Sequence, residues 1–274
     1  MKIFFKAVLI LVAVAIWTWA TIIEPYFIID YDYVKMSSPN WSKNLNGLKV
    51  AIVTDIHYAG GAIENWRIDN IIKKTNDAKS DIIVLLGDYV QAGSRRNINL
   101  DFLSNRLKRL SAPLGIYAIF GNHDSYFARN LVRDMLAKAD IVVLENSNAK
   151  VSTPNGDFYL SAIADMTTQN HFYTLAFKNI PQNAPTLFLS HTPDGFKDSP
   201  DSAKITFSGH THGGQIKLPY IGAIFVNLKY DKIGEGKFER DGKALYVSRG
   251  LGTSRVPVRL LCSPTITIAT ISKE

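Results

Sequence analysis

Short apolar runs alternate with amphipathic segments through the first half of the chain. Three of these runs have the length and composition of buried strands. They are Leu48–Thr54, Ile82–Leu86 and Ile116–Phe120. The segments that follow them repeat apolar side chains every three or four residues, which is the spacing of one helix face. These segments are residues 64–78, 99–110 and 126–138. Strands that alternate with helices predict an α/β architecture.

The second half of the chain contains further strand-like runs with fewer helical segments between them. The runs are Ile141–Leu144, Phe158–Ile163, Thr186–Leu189, Ile205–Phe207, Ala244–Val247 and Thr265–Ile271. Their length and apolar content favour buried strands. We therefore expect the second half to be dominated by β-structure.

The N-terminal run 7–23 differs from the others because it is apolar throughout and carries no charge. Its length lies at the short end of the range for a membrane-spanning helix. Lys2 and Lys6 precede it and acidic residues follow it, so the positive-inside rule predicts a cytoplasmic N-terminus and an exported remainder. A cleaved signal peptide is the alternative, but Thr18-Trp19-Ala20 is a poor cleavage site because bulky residues crowd it. We expect an uncleaved signal anchor.

Length and composition are those of a globular protein that follows an anchor. The expected division is a membrane anchor, a polar irregular connector and one globular domain, over residues 1–24, 25–46 and 47–274. The formal net charge of +7 suits an anionic substrate, nucleic acid or an anionic membrane face. The one cysteine, Cys262, excludes an intrachain disulfide bond.

Polar residues with metal-ligand chemistry follow the ends of five apolar runs. The clusters are Asp55-Ile56-His57, Gly87-Asp88, Gly121-Asn122-His123-Asp124, Ser190-His191 and Ser208-Gly209-His210-Thr211-His212. Ligands collect at the carboxyl ends of strands in open α/β sheets, so we expect these side chains on one face. Mixed carboxylate and imidazole ligands favour Mn, Fe or Zn over Ca or Mg. Two such ions, about 3.5–4 Å apart, are suited to phosphoryl chemistry.

In these five blocks the chain resembles the calcineurin-like metallophosphoesterase superfamily. Its signature is Asp-x-His, Gly-Asp, Gly-Asn-His-Asp/Glu, His and Gly-His-x-His, in this order, and every block is complete here. The resemblance implies α/β architecture of a particular kind, a four-layer αββα sandwich of two β-sheets flanked by helices. It also implies two divalent metal ions per chain, with a hydroxide between them as the nucleophile.

The resemblance also implies a role for each matching residue. The ligands of the first metal would be Asp55, His57 and His212. The ligands of the second would be Asn122, His191 and His210, with Asp88 bridging both ions. His123 would be catalytic, by stabilising charge on the phosphoryl group or by protonating the leaving oxygen, and Asp124 would orient it.

The loop after Val247 contains glycines and arginines. Three features resemble the membrane-associated bacterial phosphodiesterase-like branch of that superfamily. They are the Ser-Arg-Gly-Leu-Gly-Thr run of this loop, the Gly-His-Thr-His-Gly-Gly-Gln run and the N-terminal anchor. Arg249 and Arg255 are candidate substrate-binding residues, because arginine pairs well with phosphate. Arg259 is a third arginine of the loop. For all three arginines, the alternative to phosphate binding is a solvated position on the surface. Asp165 follows a predicted strand and either lines the cleft or ends the strand.

The expected function is hydrolysis of phosphoester bonds at a membrane, by a phosphodiesterase or a phosphatase. The main enzymatic alternative is a lipid-precursor pyrophosphatase resembling the UDP-2,3-diacylglucosamine hydrolases of the superfamily, because an anchor and a basic surface suit an amphiphilic anion. A nuclease is disfavoured because no basic stripe interleaved with aromatic residues is present. The non-enzymatic alternative is an inactive phosphoesterase fold that acts as a binding scaffold. Such folds typically lack some of the metal ligands, whereas the ligand set of this chain is complete.

The expected partners follow from this reading. They are a phosphorylated small-molecule or lipid-linked substrate and the membrane itself, with the catalytic domain on the extracytoplasmic side. The number of chains in the active assembly is left open by the sequence.

Overall fold

The computed structural model describes residues 1–94, 98–224 and 234–274. Its helices are Lys2–Thr18 (α1), Glu24–Phe27 (α2), Ala62–Asp77 (α3), Leu100–Leu107 (α4), Asn122–Lys138 (α5) and Tyr173–Ala176 (α6). Its strands are Asp30–Ser38 (β1), Leu48–Val53 (β2), Ile82–Leu85 (β3), Ile116–Ala118 (β4), Val142–Val143 (β5), Ser147–Thr153 (β6), Gly156–Ala162 (β7), Thr186–Leu189 (β8), Ile205–Ser208 (β9), Lys217–Leu218 (β10), Gly222–Ala223 (β11), Gly236–Arg240 (β12), Lys243–Val247 (β13) and Thr265–Lys273 (β14). A π-helical turn, Trp19–Ile23, joins α1 to α2.

Two six-stranded sheets form the centre of the molecule. The first has the strand order β1-β14-β2-β3-β4-β5, and the second has the order β12-β13-β9-β8-β7-β6. In the first sheet β2, β3, β4 and β5 are parallel, and in the second β7, β8, β9 and β13 are parallel. Parallel strands end at the same sheet edge, so each sheet presents several loops together at one edge. Strands β10 and β11 form a separate antiparallel hairpin.

The core consists of two main apolar layers. One lies between the sheets and contains buried side chains of both, such as Val84 from β3 and Phe207 from β9. The other lies between the first sheet and α3, α4 and α5, and includes Ile68, Leu103 and Val132. The outer face of the second sheet is covered more thinly, by α6 and the 3-10 turn Pro193–Phe196. The four-layer αββα arrangement expected from the sequence is confirmed.

The nine predicted strands and three predicted helices all occur, with ends shifted by a few residues. The expected irregular connector over 25–46 is wrong for residues 30–38. These residues form β1, which pairs in parallel with β14 from Asp30–Thr265 to Ser38–Lys273. The strand lies at the edge of the sheet, where one side remains unpaired, and polar residues are therefore tolerated there.

Among the described residues, one helical segment, Lys2–Phe27, is long and apolar enough to cross a membrane, with a mean hydropathy of 2.2. Length and composition alone do not distinguish an anchor from a signal sequence. The C-terminal end of this segment contacts the globular part of the chain. The buried Glu24 carboxylate accepts hydrogen bonds from the backbone N–H groups of Leu261 (3.1 Å) and Cys262 (2.6 Å). The N–H of Arg259 donates to the Ala20 carbonyl at 2.9 Å.

Candidate metal centre and active site

The five polar clusters converge at one end of the two sheets. Three of them follow β2, β3 and β4 of the first sheet, and two follow β8 and β9 of the second. A hydrogen bond between backbone and side chain links the sheets at this end. The His210 N–H donates to both oxygens of the Asp55 carboxylate at 3.0–3.1 Å. The convergence expected from the positions of these clusters at strand ends is confirmed.

Three groups of possible ligands overlap within this cluster. They are Asp55 with His57 and His212, Asp88 with His191 and His210, and His57 with Asp88 and His123. Within each group the candidate ligand atoms lie within 4.8 Å of one another. Asp88 and His57 each belong to two groups, so the groups form one continuous centre. Asn122 is also buried, and its Oδ1 atom has no hydrogen-bond partner.

Pairs of imidazole nitrogen atoms face each other at short distances in this centre. His57 Nε2 lies 3.0 Å from His212 Nε2, and His210 Nδ1 lies 3.2 Å from His191 Nε2. The opposite nitrogen of His191 donates to the Leu86 carbonyl at 2.7 Å, so in the neutral ring its Nε2 carries a lone pair. Lone pairs that face each other repel unless a proton or a metal ion lies between them. This donor set therefore fits bound cations.

Burial and mutual charge shift the pKa values of these groups in opposite directions. Burial lowers the pKa of His57 well below its ordinary value and that of His212 to about 4. Burial alone would raise the pKa of Asp88, but the neighbouring His191 and His57 hold it well below its usual range. Asp88 in turn raises the pKa of His191, against the effect of burial. The anionic Asp88 and the neutral rings of His57 and His212 are the forms that bind a divalent metal, and His191 binds one after losing the proton that Asp88 favours.

Five residues of the centre have positive backbone φ angles although none is glycine. They are Asp55 (53°), His57 (48°), Asp88 (56°), His210 (70°) and His212 (54°). This region costs on the order of 1–3 kcal/mol for such residues and is concentrated at functional sites. The strain allows the chain to turn sharply after a strand, so that side chains two residues apart reach the same point.

Glycines leave the space that these side chains occupy. A Cβ atom on Gly121 would lie 2.2 Å from Asp88 Oδ1 and 2.7 Å from His191 Cε1. A Cβ atom on Gly209 would lie 2.4 Å from Asp55 Oδ2. Gly250, in the loop after β13, would meet the Asp55 Cβ at 2.7 Å. The glycines in the sequence motifs are thus required by close packing around the acidic ligands.

The structure corrects the role expected for Asp124. Its buried carboxylate accepts hydrogen bonds from the backbone N–H groups of Asp88 (2.8 Å), Tyr89 (2.9 Å) and Gly121 (2.9 Å). Burial and the Asp88 carboxylate raise the pKa of Asp124 to about 8. Asp124 therefore joins the loops after β3 and β4 and does not bind the His123 ring. The sequence identifies Asp124 as part of the third polar cluster, but its backbone partners depend on the fold.

The ring of His123 has other partners. Its Nδ1 atom accepts a hydrogen bond from the Ala92 N–H at 3.3 Å, and its Nε2 atom lies 3.2 Å from Ser254 Oγ. A neutral ring that accepts at Nδ1 carries its proton on Nε2. The Nε2–H group of His123 therefore faces the Ser254 hydroxyl at the wall of the cleft.

A cleft of about 470 Å³ opens over the centre. It is lined by Asp88, Asn122, His123, His210, Thr211, His212, Gly214, Gln215, Ile216, Ser254, Arg255 and Val256. Ser254 and Gln215 were not singled out in the sequence. The Gln215 side chain donates to the Val256 and Val258 carbonyls and accepts from the Ser254 N–H, so it fixes the wall of the cleft.

The three arginines of this loop occupy different environments. Arg255 lines the cleft. Arg249 lies 3.5 Å from the Glu235 carboxylate. Arg259 is fully buried, and its guanidinium donates to backbone carbonyls, including those of Gly252 and Cys262. The candidate phosphate-binding role of Arg259 is therefore wrong, because carbonyl groups already occupy its donors.

Asp165 is buried near the second group of ligands. Its Oδ2 atom accepts hydrogen bonds from the hydroxyls of Thr167 and Thr168, both at 2.6 Å. The carboxylate favours the protonated forms of His191 and His210 through its charge. Asp165 thus does more than end a strand, since its charge acts on the imidazoles of His191 and His210 in the centre.

Comparison with known proteins agrees with this geometry. The calcineurin-like phosphoesterase family model matches residues 48–214, which contain all five polar clusters. The chain belongs to the calcineurin-like phosphoesterase family and is a hydrolase of phosphoester bonds.

Curated relatives match the chain over most of its length. The uncharacterized metallophosphoesterase YkuE of Bacillus subtilis strain 168 is 28% identical over 92% of this chain and 88% of its own. The phosphodiesterase YaeI of Escherichia coli K12 is 28% identical over 87% of this chain and 91% of its own. The UDP-2,3-diacylglucosamine pyrophosphatase LpxG of Chlamydia muridarum is 26% identical over 86% of this chain and 87% of its own.

The packing around Gly121 leads to a testable prediction. Gly121→Ala should displace Asp88 or His191, because the added methyl group overlaps both, and should lower the metal content of the reconstituted protein. Elemental analysis measures metal per chain. Gly47→Ala is the control, since an added Cβ at Gly47 has no atom within 4 Å, and its positive φ of 90° makes it a demanding test of strain alone. Equal metal content in both variants would contradict the assignment.

Proposed function

We propose that the chain is a dinuclear metal-dependent hydrolase that cleaves phosphodiester or phosphomonoester bonds at a membrane surface. The observation that carries this proposal is the position of Asp88. Its carboxylate lies 3.4 Å from His57 Nε2 and 3.3 Å from His191 Nε2. These two histidines belong to different ligand groups, so a single buried carboxylate is within reach of both.

The residues present fit two ions of Mn, Fe or Zn. The first ion would be held by Asp55, His57 and His212. The second would be held by Asn122, His191 and His210, and Asp88 would be shared. The chemistry that such ions supply when bound is polarisation of the phosphoryl group and activation of water.

The side chains around the cleft have separate tasks in this proposal. His123 donates a hydrogen bond from Nε2 to the phosphoryl group or gives its proton to the leaving oxygen. The Ala92 N–H fixes the ring in the tautomer that this requires. Arg255 neutralises substrate charge from the wall of the cleft, and Arg249 acts more weakly because Glu235 already lies beside it.

The contacts of the N-terminal helix support an uncleaved anchor. Glu24 is buried and bound to two backbone N–H groups of the globular domain, and the carbonyl of Ala20 accepts a third. Cleavage after Ala20 would keep the Glu24 contacts and remove the buried Ala20, so the hydrogen bond between the Arg259 N–H and the Ala20 carbonyl is the contact that favours an uncleaved helix. Lys2 and Lys6 at the other end of the helix favour an extracytoplasmic catalytic domain.

A lipid-precursor pyrophosphatase is the second candidate function. LpxG carries this activity in its name and aligns with most of this chain. Exposed apolar residues beside the cleft, such as Val256 and Ile224, are the observation in its favour. They suit a substrate with acyl chains better than a small soluble ester.

The first prediction of this proposal concerns the shared carboxylate. Asp88→Asn should lower the metal content by at least one ion per chain and abolish activity, because the repulsion between two dipositive ions is no longer compensated. Elemental analysis and hydrolysis of bis(p-nitrophenyl) phosphate measure the two effects. Asp101→Asn removes an exposed carboxylate on α4 and should change neither. Retention of both metals by Asp88→Asn would argue against a bridging role.

The second prediction separates metal binding from proton transfer. His123→Ala should keep close to two metals per chain and lose roughly 10²–10⁴-fold in turnover, the usual scale for a positioned acid or base. The loss should be smaller for nitrophenolate leaving groups, which need little protonation. If both poor and good leaving groups suffer equally, His123 stabilises phosphoryl charge instead. An emptied metal site would identify His123 as a ligand.

The third prediction concerns the anchor. The full chain should remain in the membrane fraction after a high-salt wash, because an apolar helix is not held by charge. A chain lacking residues 2–16 keeps Ala20 and Glu24 in place and should be soluble and active. Immunoblotting of the fractions measures the distribution. Release of the full chain by salt alone would contradict a spanning helix.

A further inference from the structure

An exposed apolar surface surrounds one side of the cleft. It consists of Leu218, Tyr220, Ile221, Ile224, Val256 and Leu261, which we call the apolar rim. Tyr220 is fully exposed, and 74% of Ile221 is exposed to solvent. The first four residues belong to the β10–β11 hairpin and its flank. An exposed apolar cluster of this kind indicates a surface that contacts another apolar phase.

The apolar rim is continuous with the wall of the cleft. Val256 belongs to both, and Ile216, which lines the cleft, precedes the hairpin directly. Ile216 forms a bridge with Leu260, and the Lys217 N–H donates to the Leu260 carbonyl at 2.9 Å. Anything that covers the hairpin therefore lies at the entrance of the cleft.

The apolar rim also lies beside the base of the N-terminal helix. A single carboxylate oxygen, Glu24 Oε2, accepts from both the Trp19 indole (2.8 Å) and the Leu261 N–H (3.1 Å). The two residues are therefore at the same level along the helix. The helix α1 ends just before Trp19, and its length of about 26 Å, at 1.5 Å per residue, nearly spans the apolar layer of a bilayer.

Exposed aromatic residues lie along the C-terminal end of the helical segment and on the adjoining face of the domain. Trp17 and Trp19 are exposed on the helix, and Phe27 packs against Trp66 of α3 with ring centroids 4.9 Å apart, both half exposed. Tryptophan and other aromatic residues are enriched where a protein crosses the membrane–water interface. The apolar rim begins at this level, because Leu261 shares the carboxylate of Trp19.

We propose that the apolar rim inserts into the surface of the bilayer that the N-terminal helix spans. The entrance of the cleft then faces the headgroup layer, and the substrate is a phosphoester of an amphiphilic lipid. This inference rests on the proposed phosphoesterase function and adds its substrate class and the surface that reaches it. The occupant is the bilayer because the rim continues an apolar helix at the depth of its aromatic belt.

The first test measures insertion directly in the full chain. Ile221→Cys is labelled with an environment-sensitive thiol dye in liposomes of phosphatidylethanolamine and phosphatidylglycerol that carry spin-labelled lipids. Val142→Cys is the control, because Val142 is 49% exposed and its strand is four positions from β14 in the first sheet. The wild-type chain gives the background from Cys262, which is buried. Quenching at position 221 but not at 142 is expected, and equal quenching would overturn the proposal.

The second test compares two esters with the same nitrophenolate leaving group. Hexadecyl p-nitrophenyl phosphate resides in the liposome, and bis(p-nitrophenyl) phosphate remains in solution. Ile221→Asp should raise the KM for the hexadecyl ester by about tenfold or more and leave the soluble ester unaffected. Val142→Asp should alter neither value. Equal effects of Ile221→Asp on both esters would contradict the membrane contact.

The outcomes separate this inference from the proposed function. Failure of the wild-type chain to hydrolyse either ester contradicts the phosphoesterase proposal. Hydrolysis of the soluble ester without quenching at position 221 contradicts the bilayer contact alone. A dimer in sedimentation that Ile221→Asp dissociates, without quenching in the wild-type chain, would assign the apolar rim to a second copy and overturn the proposal.

Discussion

The charge of the buried Asp88 carboxylate is the constraint on which the rest of the centre depends. A charge removed from water costs several kcal/mol unless partners compensate it. Here the backbone N–H of His123 donates to Asp88 Oδ1 at 2.8 Å, and His57 and His191 lie within 3.4 Å of Oδ2. A second buried carboxyl group, Asp124, binds the Asp88 N–H, and burial and the charge on Asp88 raise the pKa of Asp124 to about 8. Asp88 therefore carries the negative charge of the pair, which requires positive charge nearby, and the facing imidazoles leave space for it.

The same constraint explains the unusual backbone at the strand ends. Side chains from β2, β3 and β9 meet only if the chain turns immediately after each strand, and the positive φ angles at Asp55, Asp88 and His210 produce that turn. Such conformations persist only where surrounding contacts hold them. The Asp124 carboxyl group supplies part of that support at Asp88, because it binds the backbone N–H groups of Asp88 and Tyr89 and that of Gly121 at the start of α5.

The sequence was most informative where an element is buried on both faces. Central strands such as β3 and β8 are continuous apolar runs, and their ends carry the ligands, so the α/β architecture and the cluster of acids and histidines could be predicted, whereas the sandwich was implied by the resemblance of the motifs to a family. Five strands escaped prediction: β1, β6 and β12 are edges of the two large sheets, and β10 and β11 form the separate hairpin. One side of an edge strand faces solvent, which permits polar residues and removes the apolar signal. The contacts of Asp124 and Arg259 could not be predicted because their partners are backbone groups, which carry no residue-type signal.

The loop between β13 and β14 connects the N-terminal helix to the candidate metal centre. Its Gly252 carbonyl lies 3.4 Å from His212 Nδ1, and its Ser254 hydroxyl contacts His123. Farther along, the backbone of the same loop donates to Ala20 and Glu24 of the helix. The Arg259 guanidinium joins the two parts, since it binds carbonyls at both ends of the loop. Because packed and hydrogen-bonded segments deform little, the depth of the helix in a bilayer would set the height of the cleft above it. The base of the N-terminal helix and the active site are therefore joined through one loop, and in the proposed orientation the loop that contacts the histidines would also determine which layer of the membrane they face.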